Sequence, residues 1–231
     1  MNQPSSFSGL SGNQLKMIAL VAMTLDHIGV MLLPRITLLR IIGRLAFPIF
    51  AYMIGEGCLY TRNRRRYFLS MAALAVLCQL VYFFAMGSLY MSVLVSFSLS
   101  ILLIYAIDFG REGGIRWAVP VLTLAAVFFL CNILPRFLPG TDYGIDYGFW
   151  GVMLPVFVYL GTSPKDKFAL ISAGLILLNR TLGGLQWWSL LALIPLSCYN
   201  GTRGKKGLKY LFYIYYPVHL AVLQGLAMLM K

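Results

Sequence analysis

The chain has 231 residues, of which 60% are hydrophobic and only 11% are charged. A soluble domain carries about 25% charged residues, so this composition excludes an ordinary soluble protein and predicts a polytopic membrane protein. The formal net charge of +12 does not indicate nucleic-acid binding, because the sequence has no nucleic-acid motif and its basic residues fall mostly in short loops.

Hydrophobic runs predict about nine transmembrane helices behind a short polar segment, residues 1–14. We expect residues 15–231 to form one all-α membrane helix bundle. The seventh and eighth runs are shorter than the usual ~20 residues and are expected to be tilted, re-entrant or shielded by other helices. The runs cover 15–33, 38–60, 67–87, 91–109, 115–134, 145–161, 167–179, 185–199 and 208–230.

The arginine run after the second predicted helix, residues 62–66, sets the orientation. Placing this run in the cytoplasm puts the N-terminus inside and, with nine spans, the C-terminus outside. Thirteen of the nineteen basic residues then lie on the cytoplasmic side. The charge distribution is independent of the hydropathy that defines the spans, so it supports the count of nine.

The first predicted helix carries Asp26 and His27 side by side. An ionisable residue inside a membrane helix is costly, and it indicates a functional site by default. With a rise of 1.5 Å per residue, His27 and His219 lie roughly 17–18 Å from the cytoplasmic face, and Arg44 lies roughly 20 Å from it. Three ionisable side chains from the first, second and last helices are therefore expected near one level.

Asp26 and His27 lie on different faces of their helix, because adjacent residues point about 100° apart. We expect Asp26 to bind Arg44 or Arg40, which share a face of the second helix, and Thr24 to share the face of His27. Two plainer interpretations stay open. The Asp26–arginine pair could be purely structural, and His219 could simply hydrogen-bond another helix.

Two loops carry further candidate residues. The predicted outer loop, residues 142–148, holds Asp142, Asp146 and Tyr147 among glycines and could receive a cationic amine, or it could be an ordinary solvated loop. The cytoplasmic run with Arg62, Arg64 and Arg65 could bind phosphates, although its role as a topology signal explains it equally well. The four cysteines lie in hydrophobic runs without zinc spacing and are interpreted as packing residues.

Several of these segments resemble the TraX family of integral membrane acetyltransferases, named for a conjugation protein that N-acetylates pilin. The segments are LKMIALVAMTLDHIG (15–29), LLRIIGRLAFPIFAYMIGEG (38–57) with TRNRRRYF (61–68), DYGIDYGFWGVMLP (142–155) and NGTRGKKGLKYLFYIYYPVHL (200–220). They are spread over nearly the whole chain, while the middle helices match only in hydrophobicity. The resemblance implies a multi-pass protein of the bacterial cytoplasmic (inner) membrane that uses cytosolic acetyl-CoA and needs no metal.

The resemblance also implies roles for the candidate residues. His27 would be the general base, Asp26 and Arg44 would hold the first two helices in register, and His219 would be a second acid/base or a donor on the acceptor side. The remaining candidates fall into two groups. Those expected to attract the nucleotide part of acetyl-CoA are Arg62, Arg64, Arg65, Lys205 and Lys206; those expected near the acceptor are Asp142, Asp146, Tyr147 and Tyr216.

The acceptor and the exact reaction stay open at this stage. An amine of a pilin-like peptide is favoured, and a hydroxyl of a glycan or lipid could use the same base. Direct transfer is preferred to an acetyl-histidine intermediate. Two alternatives are a proton-coupled transporter or flippase, in which the buried charges relay protons, and a non-catalytic assembly subunit. The oligomeric state is not indicated.

Overall fold

The computed structural model describes residues 9–204 and 209–230 and is almost entirely helical there. The chain divides into two compact units, and the division falls inside one helix, α3 (Ala46–Tyr60). The first unit joins Met1–Met53 to Gly183–Lys231, and the second is Ile54–Leu182. This division does not test the expectation that residues 15–231 form a single membrane domain, and that expectation stays a prediction.

The first unit is built from the two ends of the chain. Apart from the first part of α3, its elements are α1 (Gly12–Met31), α2 (Thr37–Gly43), a 3₁₀ helix (Gly184–Ala192), α10 (Leu193–Ser197) and α11 (Lys209–Leu229). The second unit holds the remaining part of α3 and the central helices. These are α4 (Arg64–Met86), α5 (Val93–Gly110), a 3₁₀ turn (Gly114–Trp117), α6 (Ala118–Phe128), a π-helical turn (Phe129–Ile133), α7 (Leu134–Phe137), α8 (Gly148–Leu160) and α9 (Pro164–Leu182). Two short strands, β1 (Tyr90–Met91) and β2 (Gly144–Ile145), pair in parallel in this unit.

Helix α1 begins with a capping box. The Ser11 hydroxyl accepts from the backbone N–H of Gln14, and the Gln14 side chain accepts from the backbone N–H of Ser11 at 2.8 Å. The N–H of Gly12 donates to the carbonyl of Thr202 at 2.7 Å. The first turn of α1 is therefore tied to the segment that follows α10.

The predicted span 38–60 is interrupted by a turn at Arg44–Leu45, between α2 and α3. Pro48 is the third residue of α3 and has no N–H, so it cannot donate the helical hydrogen bond to the carbonyl of Arg44. A proline is tolerated in the first turn of a helix, and it explains why a new helix starts here. Residues Thr37–Tyr60 together are long and apolar enough to cross a membrane.

The predicted span 185–199 differs from the expected long helix. It forms the 3₁₀ helix Gly184–Ala192 followed by α10, which has only five residues. Gly183 and Gly184 both have positive φ, which separates this segment from α9. Pro195 cannot donate to the carbonyl of Leu191, which removes one of the hydrogen bonds that a continuous α-helix through this segment would make.

Five helical stretches in the described part of the chain are long and apolar enough to cross a membrane. They are Gly12–Met31, Thr37–Tyr60, Arg64–Phe84, Val93–Gly110 and Gly114–Phe137, and the shorter apolar helices are Gly148–Leu160 and Ile214–Leu229. The predicted all-α membrane fold is confirmed, and the count of nine spans stays a prediction.

Helices in the second unit pack through small residues and one buried ion pair. The hydroxyl of Ser100 on α5 donates to the carbonyl of Val152 on α8 at 2.7 Å. A Cβ at Gly55 would lie 2.7 Å from the carbonyl oxygen of Pro155, so a glycine is required for α3 to approach α8 this closely. Lys167 donates to buried Glu56 at 2.5 Å, a partner that the sequence did not indicate.

Candidate active site

An ion pair joins α1 to α2 in the first unit. Arg44 Nη2 donates to both carboxylate oxygens of Asp26, at 2.5 and 2.6 Å, and Arg40 Nε donates to Asp26 Oδ1 at 3.0 Å. The side chains of Asp26 and Arg44 are only 15% and 13% exposed, whereas that of Arg40 is 32% exposed. Both predicted arginines therefore bind Asp26, and Arg44 is the more buried of the two.

Two glycines allow α1 and α2 to approach closely. A Cβ at Gly43 would lie 2.5 Å from Asp26 Oδ1 and against the Asp26 side chain. A Cβ at Gly29 would lie 3.0 Å from Cβ of Leu39. Small residues serve this purpose in membrane helix packing, where they let two backbones come together. Gly43 thus gives the Asp26 carboxylate the room to reach the arginines.

Gly43→Ala is expected to destabilise the protein by about 1–3 kcal/mol, since an added methyl in a packed site forces side chains or backbone to move. Thermal unfolding of the purified protein in detergent measures this. Gly225→Ala is the matched control, because a Cβ at Gly225 of α11 meets nothing within 4 Å. The control should be neutral or slightly stabilising. Equal unfolding temperatures for the two variants would contradict the close contact.

The two histidines meet between α1 and α11. His27 Nδ1 and His219 Nε2 are 2.9 Å apart, and the ring centroids are 5.0 Å apart. His219 is 7% exposed, and its Nδ1 lies 2.8 Å from the carbonyl oxygen of Tyr215. The sequence predicts that these two histidines lie at one level of the membrane, and in the structure they contact each other directly.

The carbonyl of Tyr215 fixes the direction of this hydrogen-bond chain. A carbonyl only accepts, so His219 Nδ1 must carry the hydrogen. With both rings neutral, His219 Nε2 is then an acceptor, and His27 Nδ1 must donate to it. The lone pair of His27 therefore resides on Nε2, and this atom has no hydrogen-bond partner among the described residues. The geometry presents one unprotonated imidazole nitrogen.

Aromatic residues hold His219 in place. The ring of Tyr215 stacks on His219 at a centroid distance of 5.1 Å, and the buried ring of Tyr216 meets it edge-on at 5.8 Å. The hydroxyl of Thr24 donates to the carbonyl of Leu20, so the 2.6 Å contact with Tyr215 is a donation from the tyrosine to Thr24. Thr24 thus lies on the His27 side of α1, as predicted, and Tyr216 contacts His219 directly.

The predicted nucleotide-binding arginines lie at the start of α4 in the second unit. Arg62 and Arg65 are exposed, while Arg64 pairs with Asp108 at 2.6 Å. The hydroxyl of Tyr159 lies 2.6 Å from both oxygens of the same carboxylate and donates its one hydrogen to that carboxylate. Arg64 is therefore engaged within the protein. Phosphate binding by the run stays a prediction, and Lys205 and Lys206 lie outside the described residues.

The predicted acceptor loop uses its carboxylates to hold the segment before α5. Asp142 accepts from the Ser88 hydroxyl at 2.5 Å and from the backbone N–H of Leu89 at 2.8 Å, and these hydrogen bonds lower the pKa of its carboxyl. Asp146 accepts from the hydroxyl of Tyr90 at 3.0 Å. Tyr147 has φ 61° and precedes α8. Amine binding here stays a prediction, with Asp142 already engaged.

Gln186 is a site residue that the sequence did not indicate. Its Oε1 accepts from Arg44 Nη1 at 3.2 Å, and the residue is 5% exposed. Gln186 directly precedes Trp187 and Trp188. A buried amide in an otherwise apolar segment is the signal that could have identified it. Among the described residues no group of three His, Cys, Asp or Glu side chains could hold a metal ion.

Comparison with known proteins extends over nearly the whole chain. The family described as TraX protein matches residues 11–227. A protein named "Probable fimbrial assembly protein FimC, serogroup H1", from Dichelobacter nodosus, is 26% identical over 242 aligned positions, which cover 92% of this chain and 94% of that protein. An uncharacterized protein of Rickettsia prowazekii (strain Madrid E) is 54% identical over 41 residues, 18% of this chain and 16% of that protein. No solved structure matches. With 11–227 matched, the chain belongs to the TraX family.

Proposed function

We propose that this protein is an acetyltransferase of the bacterial inner membrane that moves an acetyl group from cytosolic acetyl-CoA to an amine. The observation that carries the proposal is the chain from the Tyr215 carbonyl through His219 to His27. Nucleophile activation requires a base whose free nitrogen is fixed in one tautomer by a second group. His27 Nε2 meets that requirement, and His219 is the group that fixes it.

The proposed reaction is a direct transfer. The acceptor nitrogen attacks the thioester carbonyl carbon while His27 Nε2 takes the proton from that nitrogen. The tetrahedral intermediate then expels the sulfur of CoA, which receives the proton from His27, and the products are an N-acetyl group and free CoA. During this step His219 Nε2 accepts from Nδ1–H of His27 and stabilises the transient imidazolium.

The acceptor is proposed to be an amine of a pilin-like peptide. The support is the name of the Dichelobacter relative, which describes fimbrial assembly. A hydroxyl of a glycan or lipid would need the same proton transfer, so O-acetylation is the alternative reaction of the same site. Mass spectrometry of peptides, glycans and lipids from cells with and without the gene distinguishes these acceptors.

The test of the proposal is acetyl transfer by the purified protein in lipid nanodiscs. We expect labelled acetyl-CoA to transfer its label to a synthetic peptide with a pilin-type N-terminus, and CoA to appear in equal amount. CoA release without label on the peptide would contradict amine transfer. Absence of acetyl-CoA binding would contradict the proposed function altogether.

A proton-coupled transporter is the second candidate function. The observation that favours it is the same hydrogen-bond chain, because linked imidazoles can relay a proton between α1 and α11. Proteoliposomes with an imposed pH gradient test this. Gradient-driven substrate movement without acetyl-CoA binding would favour the transporter, whereas acetyl-CoA binding without gradient-driven movement would favour the acetyltransferase.

A further inference from the structure

The buried amide of Gln186 has a fixed orientation. The guanidinium of Arg44 has only donors, so the oxygen of the amide must face Arg44, and the NH₂ group must face away from it. No atom of the described residues accepts a hydrogen bond from Gln186 Nε2. The first unit therefore holds a buried, directed donor that no residue in the described part of the chain accepts.

Gln186 is linked through Arg44 to Asp26, the residue that precedes the candidate base. Arg44 joins the amide to the carboxylate of Asp26, and Asp26 directly precedes His27. The 3₁₀ helix that carries Gln186 starts at the two positive-φ glycines, Gly183 and Gly184, and its residue Ser189 is fully buried. Gln186 thus belongs to the same unit as His27 and to the polar network of Asp26 and Arg44.

An unused buried donor is unfavourable for folding, and an apolar side chain of similar size would avoid that cost. The amide is more than a partner for Arg44, because an acceptor alone would suffice for that. What complements an NH₂ group in an apolar site is an oxygen of a bound molecule. Donors of this kind are effective in catalysis when they are aimed at an oxygen that becomes negative during the reaction.

We propose that Gln186 Nε2 donates a hydrogen bond to the carbonyl oxygen of the acetyl thioester and strengthens that bond as the oxygen becomes an oxyanion. This inference rests on the proposed function. As the acceptor nitrogen bonds to the carbonyl carbon, the π electrons of the C=O bond move onto the oxygen, and they return when the C–S bond breaks. Gln186 gives up no proton, and Arg44 holds its amide in the donating orientation.

Gln186→Glu tests the NH₂ group of the amide separately from its oxygen. The variant keeps an oxygen for Arg44, replaces the NH₂ donor by a second oxygen and adds a negative charge beside Arg44, whereas Gln186→Met loses both the oxygen and the donor. We expect Gln186→Glu to lower kcat by about 10²–10³-fold. Gln79→Glu is the matched control, because Gln79 lies on α4 in the other unit and Oε1 of Gln79 has no partner among the described residues. Wild-type kcat in Gln186→Glu would overturn the proposal.

Binding to two donors gives a readout that is independent of turnover. Acetyl-CoA has the carbonyl oxygen, and S-ethyl-CoA lacks it. The wild-type protein should bind acetyl-CoA several-fold more tightly than S-ethyl-CoA, and Gln186→Glu and Gln186→Met should abolish this difference. A difference that survives in both variants overturns the role of Gln186 while leaving the proposed function intact. If the wild-type protein binds neither molecule, the proposed function fails and this inference fails with it.

A structural role for Gln186 gives a different pattern. If Arg44 merely needed an acceptor, Gln186→Met would lower the unfolding temperature and kcat together, and Gln186→Glu would restore both. The proposal requires Gln186→Glu to stay inactive at a wild-type unfolding temperature. Restoration of kcat by glutamate would therefore overturn it.

Discussion

His27→Ala is expected to lower kcat for acetyl transfer by about 10²–10⁴-fold, the range that a positioned general base contributes. Acetyl-CoA binding should change little, because the imidazole acts on the acceptor proton and not on the donor. Single-turnover assays of the purified variant in nanodiscs measure the chemical step apart from binding. Wild-type turnover in His27→Ala would show that another group is the base.

His219 variants separate the positioning of His27 from its chemistry. His219→Phe removes the acceptor for His27 Nδ1–H, so both tautomers of His27 become accessible and kcat should fall. We expect a loss of about 10–100-fold, by analogy with metal-bound imidazoles that lose the group orienting them. His219→Gln offers an amide oxygen as acceptor and should recover part of kcat. If glutamine and phenylalanine reduce kcat equally, His219 does not orient His27 through its ring nitrogen.

The wild-type protein and the His27→Ala variant together distinguish direct transfer from an acetyl-enzyme. In a double displacement, His27 would itself carry the acetyl group, and labelled acetyl-CoA would label the protein when no acceptor is present. We expect no such label on the wild-type protein. Label that is present in wild type and absent in His27→Ala would replace the direct mechanism with one through acetyl-His27.

Much of the fold follows from hydropathy, and the helix ends do not. The predicted span 167–179 begins too late, because Ser163 and Asp166 form a reciprocal cap that starts α9 at Pro164. Hydropathy misses this cap, since its residues are polar. The 3₁₀ helix around Gln186 was likewise not predicted. Its hydrophobic residues are those of any apolar helix, and only the flanking glycines and Pro195 indicate the difference.

The site was predicted to the extent that it depends on local geometry. Asp26 and the two arginines belong to consecutive helices, so their depth and helical face are sufficient to pair them. The contact of His27 with His219 joins residues 192 positions apart. Their predicted depth puts the two histidines at one level of the membrane. Depth does not predict which distant helices pack against each other, and a single sequence carries no direct signal for that packing. The same reason explains why Gln186 was missed.

Arg44→Met is expected to destabilise the protein by about 3–5 kcal/mol, because it leaves the buried Asp26 carboxylate without its main partner. Arg40→Met should cost about 1 kcal/mol or less, since the Arg40 side chain is 32% exposed and an exposed pair contributes little. Thermal and denaturant unfolding in detergent measure both. Equal losses for the two arginines would contradict the assignment of Arg44 as the buried partner.

The double variant Asp26→Leu with Arg44→Met gives the sharper test, because it removes both buried charges together. Replacing a buried ion pair by apolar groups is often neutral, so the double variant should be more stable than either single variant. Glu56→Leu with Lys167→Met is the matched control, since those side chains form the buried pair of the other unit and are 7% and 12% exposed. Both double variants should regain stability, but only the one at Asp26 should lower kcat, because only that pair holds Gln186 and adjoins His27. Loss of kcat in both would mean that global stability controls activity, and the ion pair at Asp26 would then be structural alone.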